Sequence, residues 1–435
     1  MERGPNAWRR RAALALVPAL AIPLAGAGQS IEYPPESVVD QSVPIRVRGL
    51  PPASMATLSV EFTDAQDVEW VAQATFRVGA SGVVNTSLDT PVEGSYSGAV
   101  PAGLFNRALP SDGDASRRFA SGTLTQIPTT IVLEVDGAVR DGLDVTRHVV
   151  HPTVTMEEIA ERDFHGRLFA PRSPSGGGVV VLGGSEGGYP DGLAALLAAN
   201  GYVALSLPYF GADGLPEELA EIPLETVVEA IRWLDDQPGT NGRIAVFGTS
   251  KGAEAALLAS TRSTEASGVV AYAPSSVAWS CICGEAERAS WTWEGRSVPS
   301  VGPGADPTYD PAGGPIRPTV HYLHRKRSSG GTGLIEIERF DGPILLVAGA
   351  DDQLWPSHLM AEELMARRAD GRGHPLDQLL SYENAGHLIG KAFLPSGGTR
   401  IARGRLETGG SPEGNASAQA DAWPRVLAFL EAVLR

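Results

Sequence analysis

The sequence predicts an α/β protein, a mostly parallel sheet with helices on both faces, preceded by an all-β sandwich. Three observations predict it. From about residue 153, short apolar runs alternate with amphipathic stretches. From about 40 to 150, apolar residues instead recur at every second position in separate short runs. One apolar run then passes straight into a tight small-residue turn and an alanine-rich stretch, "VFGTSKGAE" at 246–254. Strands buried on both faces read as continuous apolar runs, whereas a half-buried antiparallel strand alternates. At 435 residues the chain also exceeds what one hydrophobic core usually serves, so two domains are expected.

At the N-terminus, "WRRRAALALVPALAIPLAGAGQS" joins the arginines at 9–11 to an apolar run and the small residues Ala25, Gly26 and Ala27. That is the layout of a secretory signal peptide over residues 1–27, cleaved before Gly28. The run is short for a bilayer span and is broken by Pro18 and Pro23. Export to a periplasmic or secreted location is therefore expected, without stable membrane insertion after cleavage. Over residues 35–152, Val43, Ile45 and Val47, then Leu58, Val60 and Phe62, then Phe76 and Val78, then Ile131, Leu133 and Val135 alternate with polar residues, as strands of a sandwich do. Residues 153–435 carry strand–helix pairs: "GVVVL" with "PDGLAALLAAN", "YVALSL" with "LETVVEAIRWLDD", "RIAVF" with "KGAEAALLAS". "GPILLVAGA" and "QLLSY" add two strands and "AWPRVLAFLEAVL" a closing helix. Residues 275–340, rich in Trp, Pro, Gly and Arg, lack periodicity and read as a lid insertion.

The hydrophobic fraction of 43% suits a globular protein, and the net charge of -16 excludes nucleic acid as the main partner. Residues 1–27 hold four arginines and one glutamate, so their removal leaves -19. The two cysteines, Cys281 and Cys283, stand two apart, a poor spacing for a mutual disulfide, and without clustered histidines they make no case for zinc. They are expected to be structural. Lysine occurs only at 251, 326 and 391 among thirty-two arginines, which makes Lys251 conspicuous beside Ser250. The basic run at 325–327 reads as a solvated loop.

Strand, G-T-S-K-G and helix form the context of a nucleophile elbow around Ser250. A free serine is a poor nucleophile, so a histidine base and an orienting carboxylate must follow on loops after later strands. "GPILLVAGADDQLWPS" supplies Asp351 and Asp352, with Asp352 preferred, and "QLLSYENAGHLIG" supplies His387. The other histidines beyond Asp352 fit less well, since His358 falls in a helical pattern and His374 in a polar turn. Donors for an oxyanion are expected from the Lys251 amide and from the glycine-rich loop "VVVLGGSEGG", with Ser185 or Glu186 as the second. That loop lacks phosphate-binding spacing. Glu254 reads as a partner of Lys251, and Trp291 and Trp293 as lid packing.

On these residues the chain resembles the acyl-CoA thioesterase and bile acid-CoA:amino acid N-acyltransferase family from about residue 35 to 432. "GTSKGAE" is similar to that family's serine-lysine-glycine-x-glutamate elbow, and "GADDQLWPS" and "AGH" to its acid and histidine motifs. "TPVEGSYSGAVPAGLFNRALP" resembles its β-sandwich, and "SSVAWS" and "SWTWEGRSVP" its lid. The resemblance implies an α/β-hydrolase domain acting on acyl thioesters through an acyl-enzyme, with Ser250, Asp352 and His387 as triad and no cofactor or metal. Serine at 250 favours hydrolysis, because the amino acid-conjugating branch typically carries cysteine there. The expected partner is a small acyl thioester or ester. Alternatives are an exported ester, lactone or amide hydrolase, an N-acyltransferase on the same triad, and a non-catalytic secreted binding protein.

Overall fold

The computed structural model describes residues 28–114, 117–122, 124–283, 288–302, 315–390, 393–402 and 404–435. The expected signal peptide and parts of the expected lid lie outside them. The chain divides into two compact units, residues up to Ser37 with Gln41–Arg147, and Val38–Asp40 with His148–Arg435. The division falls a few residues before 152, and a short N-terminal piece joins the second unit. The reason is local. Val39 N donates to His148 O at 2.9 Å, and Asp40 accepts from Asn200 Nδ2 at 2.6 Å and Trp423 Nε1 at 3.0 Å.

In the first unit, strands Met55–Thr63, Glu69–Arg77 and Gln126–Val135 pair antiparallel with Met55–Thr63 in the middle. A smaller sheet joins Ser30–Glu32, Arg46–Arg48 and Val84–Asn85. Leu58, Val60, Phe62, Trp70, Ile131 and Leu133 are buried while their neighbours are more exposed, the alternation that a pleated strand with one covered face imposes.

In the second unit the sheet strands are β1 (Val154–Ala160), β2 (His165–Pro171), β3 (Gly178–Leu182), β4 (Val203–Ser206), β5 (Ile244–Thr249), β6 (Ala266–Tyr272), β7 (Ile344–Gly349) and β8 (Gln378–Tyr382). Their order in space is β1-β2-β4-β3-β5-β6-β7-β8, antiparallel at the β1 end and parallel from β4 to β8. Helices α1 (Asp191–Ala199), α2 (Glu225–Asp235), α3 (Lys251–Ser260), α4 (Pro318–Ser328), α5 (Ser357–Asp370) and α6 (Pro412–Leu434) accompany it. This is the expected α/β-hydrolase architecture. Strands β3, β5 and β7 are buried over nearly their whole length, which is why they read as unbroken apolar runs. Register brings the strand ends level: Leu182 opposite Gly248, Thr249 opposite Tyr272 and Gly349 opposite Tyr382. Loops leaving β3, β5, β7 and β8 therefore emerge at one edge.

Two elements differ from expectation. α6 begins at Pro412, ten residues before the apolar stretch that announces it. "PEGNASAQAD" looks like a loop, but Ser411 caps it by accepting from Gly414 N, and Pro412 sits where its missing N–H costs nothing. The lid insertion holds α4 and the antiparallel pair Trp291–Trp293 with Arg296–Ser297. α4 buries only Thr319, so no apolar face marks it in the sequence.

Candidate active site

Ser250 stands alone between β5 and α3, with φ 55° and ψ -118°. For a residue with a side chain that conformation costs on the order of 1–3 kcal/mol, and the surroundings hold it in place. Ser250 N donates to Tyr272 O at 2.8 Å, and Glu254 N donates to Ser250 O at 3.1 Å. The flanking glycines are sterically required. A Cβ on Gly248 would lie 2.1 Å from Gly252 O, and one on Gly252 would lie 2.1 Å from Gly183 O and 2.6 Å from Leu182 O. Strand, turn and helix cross so closely that no other residue fits either position.

The loop after β7 presents Asp352 and the loop after β8 presents His387. His387 Nδ1 lies 2.8 Å from Asp352 Oδ2, and its Nε2 lies 2.9 Å from Ser250 Oγ. All three residues are buried. Asp352 also accepts from Ser357 Oγ at 2.5 Å, Leu354 N at 2.9 Å and Trp355 N at 3.1 Å, so its oxygens are fixed from several sides. Because Nδ1–H donates to the carboxylate, the Nε2 lone pair is left facing the serine hydroxyl. The Trp355 ring stands edge-on to the imidazole at 5.6 Å and is tied to Ala273 O by its own Nε1. His387 N donates to Thr408 O at 2.8 Å, fixing the loop. Asp351 lies outside this line: it accepts from Gln353 Nε2 and Gly410 N. His358 Nδ1 sits 3.0 Å from Ser381 Oγ, and His374 Nδ1 accepts from Leu376 N, both apart from Ser250.

Across the serine, Lys251 N opens α3, where an amide has no intrahelical partner and the helix dipole favours negative charge. Gly184 borders the nucleophile: a Cβ there would lie 3.3 Å from Ser250 Cβ. Gly184 N donates to Glu186 Oε1 at 3.1 Å, and the exposed Ser185 and Glu186 form the turn that follows. Tyr209 OH donates to Gly183 O at 2.8 Å and Gly184 O at 3.2 Å and so fixes the loop from beneath. Burial, with the Glu186 and Glu254 charges, pushes this phenol well above its ordinary pKa, so it remains a donor. Tyr209 follows β4 and is not picked out by sequence, because only the parallel pairing of β3 with β4 brings it under the loop.

The conspicuous Lys251 side chain is buried and paired. It is 2% exposed and its Nζ lies 2.9 Å from both carboxylate oxygens of Glu254, itself 0% exposed. Glu254 Oε1 also accepts from Trp279 N at 3.0 Å and Trp291 Nε1 at 2.6 Å. Burial pushes the Glu254 carboxyl up and the Lys251 ammonium down, and each opposes the other's shift. The pair thereby stitches two separate lid segments to the elbow helix. Arg325 adds a clip, donating to Ser280 Oγ and Val301 O. The 325–327 run is thus part of α4 rather than a solvated loop, and Lys326 pairs with Glu363. Cys281 and Cys283 are joined in a disulfide, contrary to the expectation from their spacing; the lid chain bends there so that their Cα atoms are 5.4 Å apart, within bridging range. Among the described residues no His, Cys, Asp and Glu cluster could hold a metal ion, and no helix is long and apolar enough to cross a membrane.

Comparison with known proteins adds family information. The pattern described as "BAAT / Acyl-CoA thioester hydrolase C terminal" matches residues 222–435, and "Acyl-CoA thioester hydrolase/BAAT N-terminal region" matches 40–161. An X-Pro dipeptidyl-peptidase (S15 family) pattern matches 140–299. Acyl-coenzyme A amino acid N-acyltransferase 2 of Mus musculus is 30% identical over 389 residues, covering 84% of this chain and 88% of that protein. The corresponding N-acyltransferase 1 is 30% identical over 425 residues, covering 92% and 96%. Mitochondrial acyl-coenzyme A thioesterase 2 of the same organism is 29% identical over 416 residues, covering 92% and 88%.

Proposed function

Since the chain belongs to the acyl-CoA thioester hydrolase and bile acid-CoA:amino acid N-acyltransferase family, we propose that it is a serine hydrolase cleaving acyl thioesters through an acyl-enzyme on Ser250. The observation that carries the site assignment is the unbroken line Ser250 Oγ, His387 Nε2, His387 Nδ1, Asp352 Oδ2, with links of 2.9 and 2.8 Å. His387 takes the hydroxyl proton as Ser250 Oγ attacks the acyl carbonyl. The Lys251 amide and the amide of Ser185 or Glu186 stabilise the oxyanion, each such donor being worth about 100- to 1,000-fold in rate. Collapse breaks the C–S bond, and the imidazolium gives its proton to the departing thiolate. Water then attacks the acyl-enzyme, its proton passing to His387, and release of the acid restores the Ser250 hydroxyl. Asp352 orients the imidazole and offsets its transient charge.

Ser250→Ala is expected to lower kcat on acyl thioesters by at least about 1,000-fold and to abolish labelling by a fluorophosphonate. Near-normal turnover by that variant would overturn the assignment. A second reading, transfer of the acyl group to an amino acid, is supported by the 30% identity to the two N-acyltransferases. It predicts that glycine or taurine at millimolar concentration diverts product from free acid to amide, which product analysis by mass spectrometry reads directly. Export remains part of the proposal through the arginine cluster and apolar run of residues 1–27, and a mature N-terminus at Gly28 would support it.

A further inference from the structure

Glu186 is an acidic side chain close to the serine that the triad chemistry does not use. Its Oε1 accepts from Gly184 N at 3.1 Å. Its Oε2 would lie 2.7 Å from a Cβ on Gly184, the same point that lies 3.3 Å from Ser250 Cβ. The carboxylate and the nucleophile thus flank one glycine. No cation pairs with Glu186 among the described residues, and the residue is exposed. Its charge reaches the Tyr209 phenol beneath the loop, which places it electrostatically within the site. Two other buried acids near the serine are held by partners, Glu254 paired with Lys251 and Asp352 hydrogen-bonded to its donors and His387. Among the described residues, Glu186 is left as a carboxylate without a cationic partner on the loop that borders Ser250.

We propose that Glu186 is a specificity-determining residue that discriminates against acyl groups carrying a second carboxylate near the thioester and favours neutral ones. The inference rests on the thioester-hydrolase reading and deepens it. Like charges about 6 Å apart in a medium of effective dielectric about 20 repel by roughly 100-fold in an equilibrium constant. Because Glu186 is exposed, water and salt reduce this to about 10-fold. The hydrogen bond to Gly184 N holds the carboxylate at the loop, so discrimination comes from a positioned charge rather than from a wandering side chain.

The test compares pentanoyl and glutaryl thioesters of N-acetylcysteamine, whose leaving group is uncharged, using the wild type, Glu186→Gln and Glu186→Lys. The wild type is expected to prefer pentanoyl. Glu186→Gln, which can still accept from Gly184 N, raises the glutaryl-to-pentanoyl ratio of kcat/KM about 10-fold, and Glu186→Lys raises it further. Salt at 1 M narrows the wild-type preference by more than it narrows that of Glu186→Gln, whose remaining salt dependence reports only the overall field. Equal change for both acyl groups in Glu186→Gln would overturn the proposal, because it would mean that the side chain only shapes the loop. Fluorophosphonate labelling of Ser250 verifies that each variant retains a folded site. If the wild type cleaves neither thioester but does cleave the matched p-nitrophenyl esters, the thioester reading fails, and the same ratio, read on the esters, still decides the role of Glu186.

Discussion

Ser250 occupies a conformation that only its neighbours make tolerable, and the same neighbours set the motif. Gly252→Ala would drive a methyl group into the carbonyls of Gly183 and Leu182, backbone atoms that cannot move aside as a flexible side chain would. Its expected cost exceeds about 3 kcal/mol, read as a lower denaturant midpoint or loss of soluble protein. Asp352→Asn is expected to keep stability close to wild type while lowering kcat by roughly 10,000-fold, because the amide cannot hold the imidazole in the required tautomer. Glu254→Ala would leave Lys251 buried without its partner and is expected to destabilise by about 3–5 kcal/mol. A double change to Lys251→Met and Glu254→Leu should recover much of that loss, whereas failure to recover would show that the bonds from Trp279 and Trp291 carry most of the effect. Ser250, Asp352 and His387 were legible because the chemistry demands those residue types on loops after particular strands. Tyr209 and the tie between Gly184 N and Glu186 were not, since nothing local marks them.

At the scale of elements, helix ends and entry segments carry the information that apolar periodicity misses. Ser411→Ala removes the side-chain cap of α6 and is expected to cost about 1 kcal/mol, measurable as a shift in Tm. Asp40 ties the segment 38–40 to Asn200 at the end of α1 and to Trp423 in α6. Burial raises its carboxyl above the ordinary value, against the lowering effect of those two bonds. An acid with a raised folded pKa binds its proton more tightly folded than unfolded, so its contribution to stability falls as pH rises from the unfolded value through the folded one. Asp40→Asn is accordingly expected to flatten that part of the stability-versus-pH curve, as followed by thermal unfolding between pH 3 and pH 7. α4 and the start of α6 escape sequence reading for different reasons: one has no buried face, and the other buries small and polar residues such as Asn415 and Gln419.

At the scale of the whole molecule, a net charge of -16 bears on any anionic substrate. The KM for an acyl-CoA thioester is expected to fall as ionic strength rises from about 0.01 to 0.15 M, while that for an uncharged N-acetylcysteamine thioester stays constant. Equal salt dependence of the two would show that the overall field does not reach the site. The sequence by itself determined the two-part architecture and the three candidate triad residues, because strand burial and nucleophile chemistry both impose strict residue types at fixed positions along the chain. Tertiary structure alone decided that Cys281 meets Cys283, that Tyr209 ties down the carbonyls of Gly183 and Gly184, and that Glu186 folds back onto Gly184 N. Those outcomes depend on strand register and on the path of the lid, and contacts between residues far apart in sequence leave no local periodicity from which to read them.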